Sequence, residues 1–153
     1  MTKSKIELIA ENLLTIYPLL YKSLSKPLRK STSITPGGMF VLAVLKRNGM
    51  LTMSEIGKHL SMPKPHVTAI IDKLIEEQYV ERLNDASDRR IVNIKITEKG
   101  LSDLEDIKRK ISLNLKDRLS SLSDHNQDLL ISSTQNVKEQ LISISSNEME
   151  TVK

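Results

Sequence analysis

Arg89 and Arg90 stand side by side behind Asp88 in a short polar run, and upstream of them Lys64, His66, Thr68 and Lys73 fall at helical spacing. Cations arranged in this way hold anions. A guanidinium takes two phosphate oxygens at once, and a neighbouring carboxylate can pre-orient it. The same Asp/Arg turn also fits a plainly solvated surface loop, so both readings stay open at this point. Nothing comparable points to bond-breaking chemistry. His59, His66 and His125 show neither HxxxH nor HExxH spacing, and no metal site is expected. No GxGxxG, P-loop or nucleophile-elbow pattern occurs. Gly37-Gly38 follows Pro36 in the first turn of a helix and reads as close packing rather than a phosphate cradle. The chain has no cysteine, which removes thiolate catalysis, disulfides, cysteine-ligated zinc and direct thiol oxidation as a signal. Neither a cofactor nor an enzymatic activity is expected.

The elements that must position these side chains are legible from periodicity. Thr52 and Glu55 have capping-box spacing and open a short helix whose Ile56 and Leu60 face inward. A second helix begins around Pro63 to Pro65, because prolines are tolerated only in the first turn, and its core face is Val67, Ile70, Ile71 and Leu74. Its outward face carries Lys64, His66, Thr68, Ala69, Asp72 and Lys73. After Gln78 the period changes to alternation. Val92, Ile94 and Ile96 point one way, pairing with a strand from Tyr79 to Leu83, and Asn84 to Asp88 make the turn. Two helices and a basic hairpin over 35–97 make a winged helix-turn-helix, in which a helix can enter a DNA major groove while the hairpin reaches phosphates or the minor groove.

The flanks are helical. Ile6, Ile9, Leu13, Ile16, Leu20 and Leu24 define one face of a long first helix, with a kink expected near Thr15 to Pro18. Thr35-Pro36 starts the next helix, with Phe40, Val41, Val44 and Leu45 as its buried face and Asn48-Gly49 as its stop. From Glu98, capped by Thr97, a long helix presents Leu101, Leu104, Lys108, Ile111, Leu115, Leu119 and Leu122. Ser123-Asp124 opens a last helix with Leu130, Val137, Leu141 and Ile144 on one face, and residues 147–153 are expected to fray.

The expected architecture is mainly α with a small β-hairpin wing, one domain over 1–153, with helices in 1–34 and 98–146 serving dimerisation. Their apolar faces exceed what a winged helix can cover, which favours a homodimer over a monomer with a single enlarged core. The net charge of +4 and pI of 9.3 suit a polyanion. However, the excess lies in residues 1–35, with six Lys/Arg against two Asp/Glu, while residues 64–97 balance at six against six. Residues 1–16 mix charges into their apolar positions and no apolar run is long enough to span a bilayer, so a cytoplasmic, membrane-free protein is expected.

The run KPHVTAIIDKLIEEQYVER from Lys64 to Arg82, and Asp88-Arg89-Arg90 followed after Ile91 to Lys95 by Ile96-Thr97 and Glu98-Lys99-Gly100, resemble the multiple-antibiotic-resistance regulator (MarR) family over nearly the whole chain. The resemblance implies a dimeric winged-helix transcription factor, usually a repressor of a palindromic site on double-stranded DNA, released in many members by a small aromatic or anionic effector. It assigns groove or phosphate contacts to Lys64, His66, Thr68 and Lys73, the wing contact to Arg89 and Arg90, and the holding of an arginine to Asp88. Tyr17, Tyr21 and Phe40 lie in elements that bound the family's ligand crevice, with Lys26 or Arg29 to meet a carboxylate, although these aromatics fit a plain core equally well. Three departures stand out. Ala69 replaces a long polar residue, Pro63 replaces a hydroxyl cap, and Gln78 stands where a helix-ending Gly is common. The other reading of the chain is a winged-helix module for protein contact without a specific DNA site.

Overall fold

In the computed structural model, the backbone of residues 3–150 and the side chains of residues 3–23 and 32–145 are described. The elements run α1 (Lys5–Ser31), α2 (Pro36–Asn48), β1 (Leu51–Thr52), α3 (Met53–Leu60), α4 (Lys64–Glu76), β2 (Val80–Asn84), β3 (Val92–Ile96), α5 (Glu98–Leu119) and α6 (Asp124–Glu150). By packing the chain falls into two units, Met1–Leu113 and Asn114–Lys153. The division lies inside α5, just past Ile111, the last buried residue of that helix.

The first unit is built around α2, α3, α4 and the sheet. Thr35 caps α2, its Oγ1 accepting from Gly38 N at 3.1 Å, and Gly49 ends that helix at φ 79. The capping box of α3 is formed on both sides: Glu55 N donates to Thr52 Oγ1 at 3.3 Å and Thr52 N donates to the Glu55 carboxylate at 2.7 Å. Leu42, Leu45, Ile56, Val67, Ile71, Ile94 and Leu104 fill the centre and are fully or almost fully buried. Gly38 lies against Ile34 and Leu74, where an added Cβ would stand 3.2 and 3.3 Å from their side chains, consistent with close packing as the reason for a small residue.

Several expectations change in detail. The sheet has three strands, in the order β1-β3-β2, because Leu51 and Thr52 pair with Ile94 and Asn93. Two residues are too few to show alternation, so β1 leaves no sequence pattern. Phe40, expected in the core, is 56% exposed; Leu42 occupies the buried position instead. On α5 the buried face runs through Leu104, Ile107 and Ile111, and Lys108 is exposed. Along the Val92, Ile94 and Ile96 face of β3, Ile94 and Ile96 are buried, while Val92, opposite Asn84 at the wing-loop end, is 38% exposed. α1 is a single helical segment that includes Pro18. α6, taken by itself, runs to Glu150, past residue 147 where fraying is expected. Its Ser and Asn residues lower helix propensity without barring the helix. Residues 151–153 lie outside the described residues.

Candidate nucleic-acid interface

The second helix of the motif, α4, is placed by its apolar side. Val67, Ile71 and Leu74 are buried, which leaves Lys64, His66, Ala69, Asp72 and Lys73 exposed on the other side. A left-handed Ser61, φ 50, makes the turn from α3. Pro63 stands at the N-cap of α4 without a side-chain hydrogen bond, so the helix starts on proline geometry rather than on a hydroxyl. Thr68 differs from the other exposed positions. It is half-buried, its hydroxyl lies 2.9 Å from the Lys64 carbonyl and 3.8 Å from the Met53 sulfur, and it therefore leans toward α3.

The wing joins β2 and β3, whose register runs from Val80↔Ile96 to Asn84↔Val92. Asp85 organises the loop: its carboxylate accepts from Ser87 N at 2.8 Å and Asp88 N at 3.2 Å. Asp88 then grips Arg90. Arg90 Nε and Nη2 donate to the two carboxylate oxygens at 3.1 and 3.0 Å, and Arg90 N donates to Oδ1 at 2.9 Å. The hydrogen bonds from the Arg90 side chain, then from its N–H, hold the Asp88 carboxyl below the usual carboxylate range, and Asp88 raises Arg90 in turn. The Arg90 side chain is 90% exposed, so the pair presents a pre-oriented cation to solvent. Arg89 is exposed beside it.

An ion pair that the sequence reading missed connects wing and helix. Arg82 Nη2 on β2 lies 2.5 Å from Asp72 Oδ1 on α4. The two are ten residues apart on different elements, so no periodicity announces them.

A second feature borders α4. An open cavity of about 510 Å³ is lined by Tyr17 and Tyr21 from α1, Phe40 from α2, and His66, Ala69 and Lys73 from α4. The two tyrosine rings are stacked, with centroids 6.4 Å apart. Tyr17, Tyr21 and Phe40 are thus brought together on a surface cavity rather than in a core. The side chains of Lys26 and Arg29 lie outside the described residues. His66 and Lys73 belong to the exposed side of α4 and also line the cavity.

This arrangement of helices and wing has close counterparts. The MarR family model matches residues 34–92, from the start of α2 to the beginning of β3. The chain is 32% identical over 125 residues to the helix-turn-helix transcriptional regulator YkoM of Bacillus subtilis, covering 80% of this chain and 81% of that protein. The protein belongs to the MarR family. It is also 29% identical over 107 residues to the B. subtilis transcriptional repressor MdtR, covering 69% of each chain. A MarR family protein of Bacillus stearothermophilus superposes with a TM-score of 0.75 at 22% identity, over 93% of this chain and 99% of the other. This MarR family protein is accordingly a winged-helix, DNA-binding transcriptional regulator. Among the described residues no helix is long and apolar enough to cross a membrane.

Proposed function

We propose that this MarR family protein is a cytoplasmic homodimeric repressor that reads a palindromic DNA operator. In this reading α4 enters the major groove with Lys64, His66, Thr68 and Lys73, and the wing delivers Arg90, with Arg89 beside it, to the phosphates or the minor groove. The observation that carries the reading is the Asp88–Arg90 pair. Two hydrogen bonds hold a guanidinium that is otherwise 90% exposed, so little further ordering is needed when it meets a phosphate. Repression is supported by the likeness to MdtR, named a repressor.

Dimerisation is supported by the apolar surface left open on α1, where Ile6 is 78%, Ile9 58% and Leu20 54% exposed. Large apolar side chains along one helix are costly in water unless another surface covers them. A two-fold dimer would place two α4 helices about 34 Å apart, one duplex turn, as a palindrome requires. Release of the operator by a small aromatic or anionic effector is supported by the cavity, where stacked tyrosines offer a planar surface and His66 and Lys73 offer donors.

Fluorescence anisotropy against duplexes tiling the gene's own upstream region, with a scrambled control, at about 50 and 200 mM salt tests the proposal. Tight binding to one palindromic tile at both salts is the expected result, and Arg90→Ala should weaken it while reducing the salt slope by about one. Uniform weak binding that vanishes with salt would instead favour a module for protein contact.

A further inference from the structure

The end of α4 is tied to two other elements through three consecutive residues. The Glu77 carboxylate accepts a hydrogen bond from Ser33 Oγ in the α1–α2 linker. The Glu77 carbonyl accepts one from Lys99 Nζ at 2.7 Å, and the same ammonium lies 4.6 Å from the centroid of the Tyr79 ring, itself only 7% exposed. Gln78 follows in a left-handed conformation, φ 63, and its carbonyl accepts from Thr97 Oγ1 at 2.8 Å. Tyr79 O accepts Thr97 N at 3.0 Å, and an added Cβ on Gly100 would stand 2.2 Å from that same oxygen. The first turn of α5 is therefore closed onto Glu77–Tyr79 with no slack.

A cation at the carbonyl end of a helix satisfies the last unpaired oxygens and the negative end of the dipole. Helices often supply such a cation from their own last turn. Besides Lys73 in the last turn of α4, a second cation, Lys99, reaches the Glu77 carbonyl from the start of another helix, so the cap is also a joint. Lys64 lies about 20 Å along α4 from Glu77 at 1.5 Å rise per residue, and a tilt of about 10° at the joint would carry it by roughly 3 Å. Such a shift is as long as a hydrogen bond and would take a side chain out of range of its partner.

We propose that Lys99 is a positioning residue for DNA reading, which sets the angle of α4 by holding its carbonyl end and the Tyr79 ring against α5 without itself touching DNA. The inference rests on the proposal that α4 is the DNA-reading helix. The ammonium is already committed to Glu77 O and the Tyr79 face, at the opposite end of α4 from Lys64 and His66.

Lys99→Met keeps the apolar stem and removes the charge, and Lys99→Arg restores a cation. The probes are duplexes selected by the unaltered protein from a random library, a scrambled duplex, and amide hydrogen exchange of the free protein at Glu77, Gln78 and Tyr79. Lys99→Met is expected to lose about tenfold in affinity for the selected duplex relative to the scrambled one, with the salt slope unchanged, and to speed exchange at those amides by about tenfold. Lys99→Arg should recover most of both. Equal loss on both duplexes with a shallower salt slope would overturn the proposal, because Lys99 would then be a phosphate contact. Unchanged selectivity would overturn it too. A library from which the unaltered protein selects no sequence would sink the DNA-reading proposal itself, and with it this role for Lys99.

Discussion

Ile56, Val67 and Ile71 in the winged-helix part are wholly buried, whereas Ile6, Ile9 and Leu20 on α1 and Val137 and Leu141 on α6 keep between 42% and 78% of their surface exposed. Both sets are apolar and both recur at helical spacing. What differs is the supply of partners within the chain. Three helices and a three-stranded sheet enclose the first set. The second set lies on two helices of 27 residues each. The same sequence signal thus marks a core in one region and an exposed apolar face in the other.

The sharpest way to break that comparison is a pair of truncations. Ile71→Ala should cost about 2–5 kcal/mol of stability, independent of protein concentration, because a fully buried side chain leaves a cavity. Leu141→Ala should instead make the thermal midpoint depend more steeply on protein concentration, as expected when a covering surface rather than a core is weakened. Denaturant and thermal unfolding at several concentrations distinguish them, and a concentration-independent loss of similar size for both would end the distinction. Next in size is Gly100→Ala. A methyl 2.2 Å from the Tyr79 carbonyl must push the start of α5 off the sheet, and a loss of about 1–3 kcal/mol in chemical denaturation is expected.

Gln78→Gly should act in the opposite direction. The residue is left-handed at φ 63, so glycine relieves strain, and a gain of up to about 1 kcal/mol is expected in the same assay. A loss would mean that the Gln78 side chain contributes more than its backbone costs. The smallest effect concerns acid. Asp88 is held low by the side-chain and then backbone hydrogen bonds of Arg90, and Asp85 by the hydroxyl and N–H of Ser87. A carboxyl with a lowered folded value stabilises the loop above its unfolded pKa of about 3.9 and loses that contribution as pH falls through the lowered value. The wing should therefore stay ordered from about pH 8 to pH 5 and loosen only below the ordinary aspartate range. NMR titration of the Asp85 and Asp88 carboxyls checks this, and a midpoint above the ordinary aspartate value would contradict it.

Much of the winged helix could be read along the chain because its signals are local. Thr35 before Pro36, Thr52 with Glu55, the prolines opening α4 and the switch to alternation before β3 each act over a few residues. The pairing of Asp88 with Arg90 is local too, spanning two positions. The places where reading slipped share a different property. Phe40 and Leu42 are both apolar positions of α2, and which one is buried depends on where α4 and the sheet press on that helix. Lys108 and Ile107 exchange roles on α5 for the same reason. β1, the Arg82–Asp72 bridge and the grip of Lys99 on Glu77 bring together residues whose partners lie elsewhere in the chain.

By itself, then, the sequence determined the helices, the hairpin, the caps at Thr35 and Thr52 and the family, since hydrogen-bond geometry and side-chain period operate between near neighbours. The tertiary structure alone decided the third strand, the cavity that gathers Tyr17, Tyr21 and Phe40 beside His66 and Lys73, and the joint at Glu77–Tyr79. Those features consist of contacts between elements, and their formation depends on how helix faces and strand edges meet when the core closes.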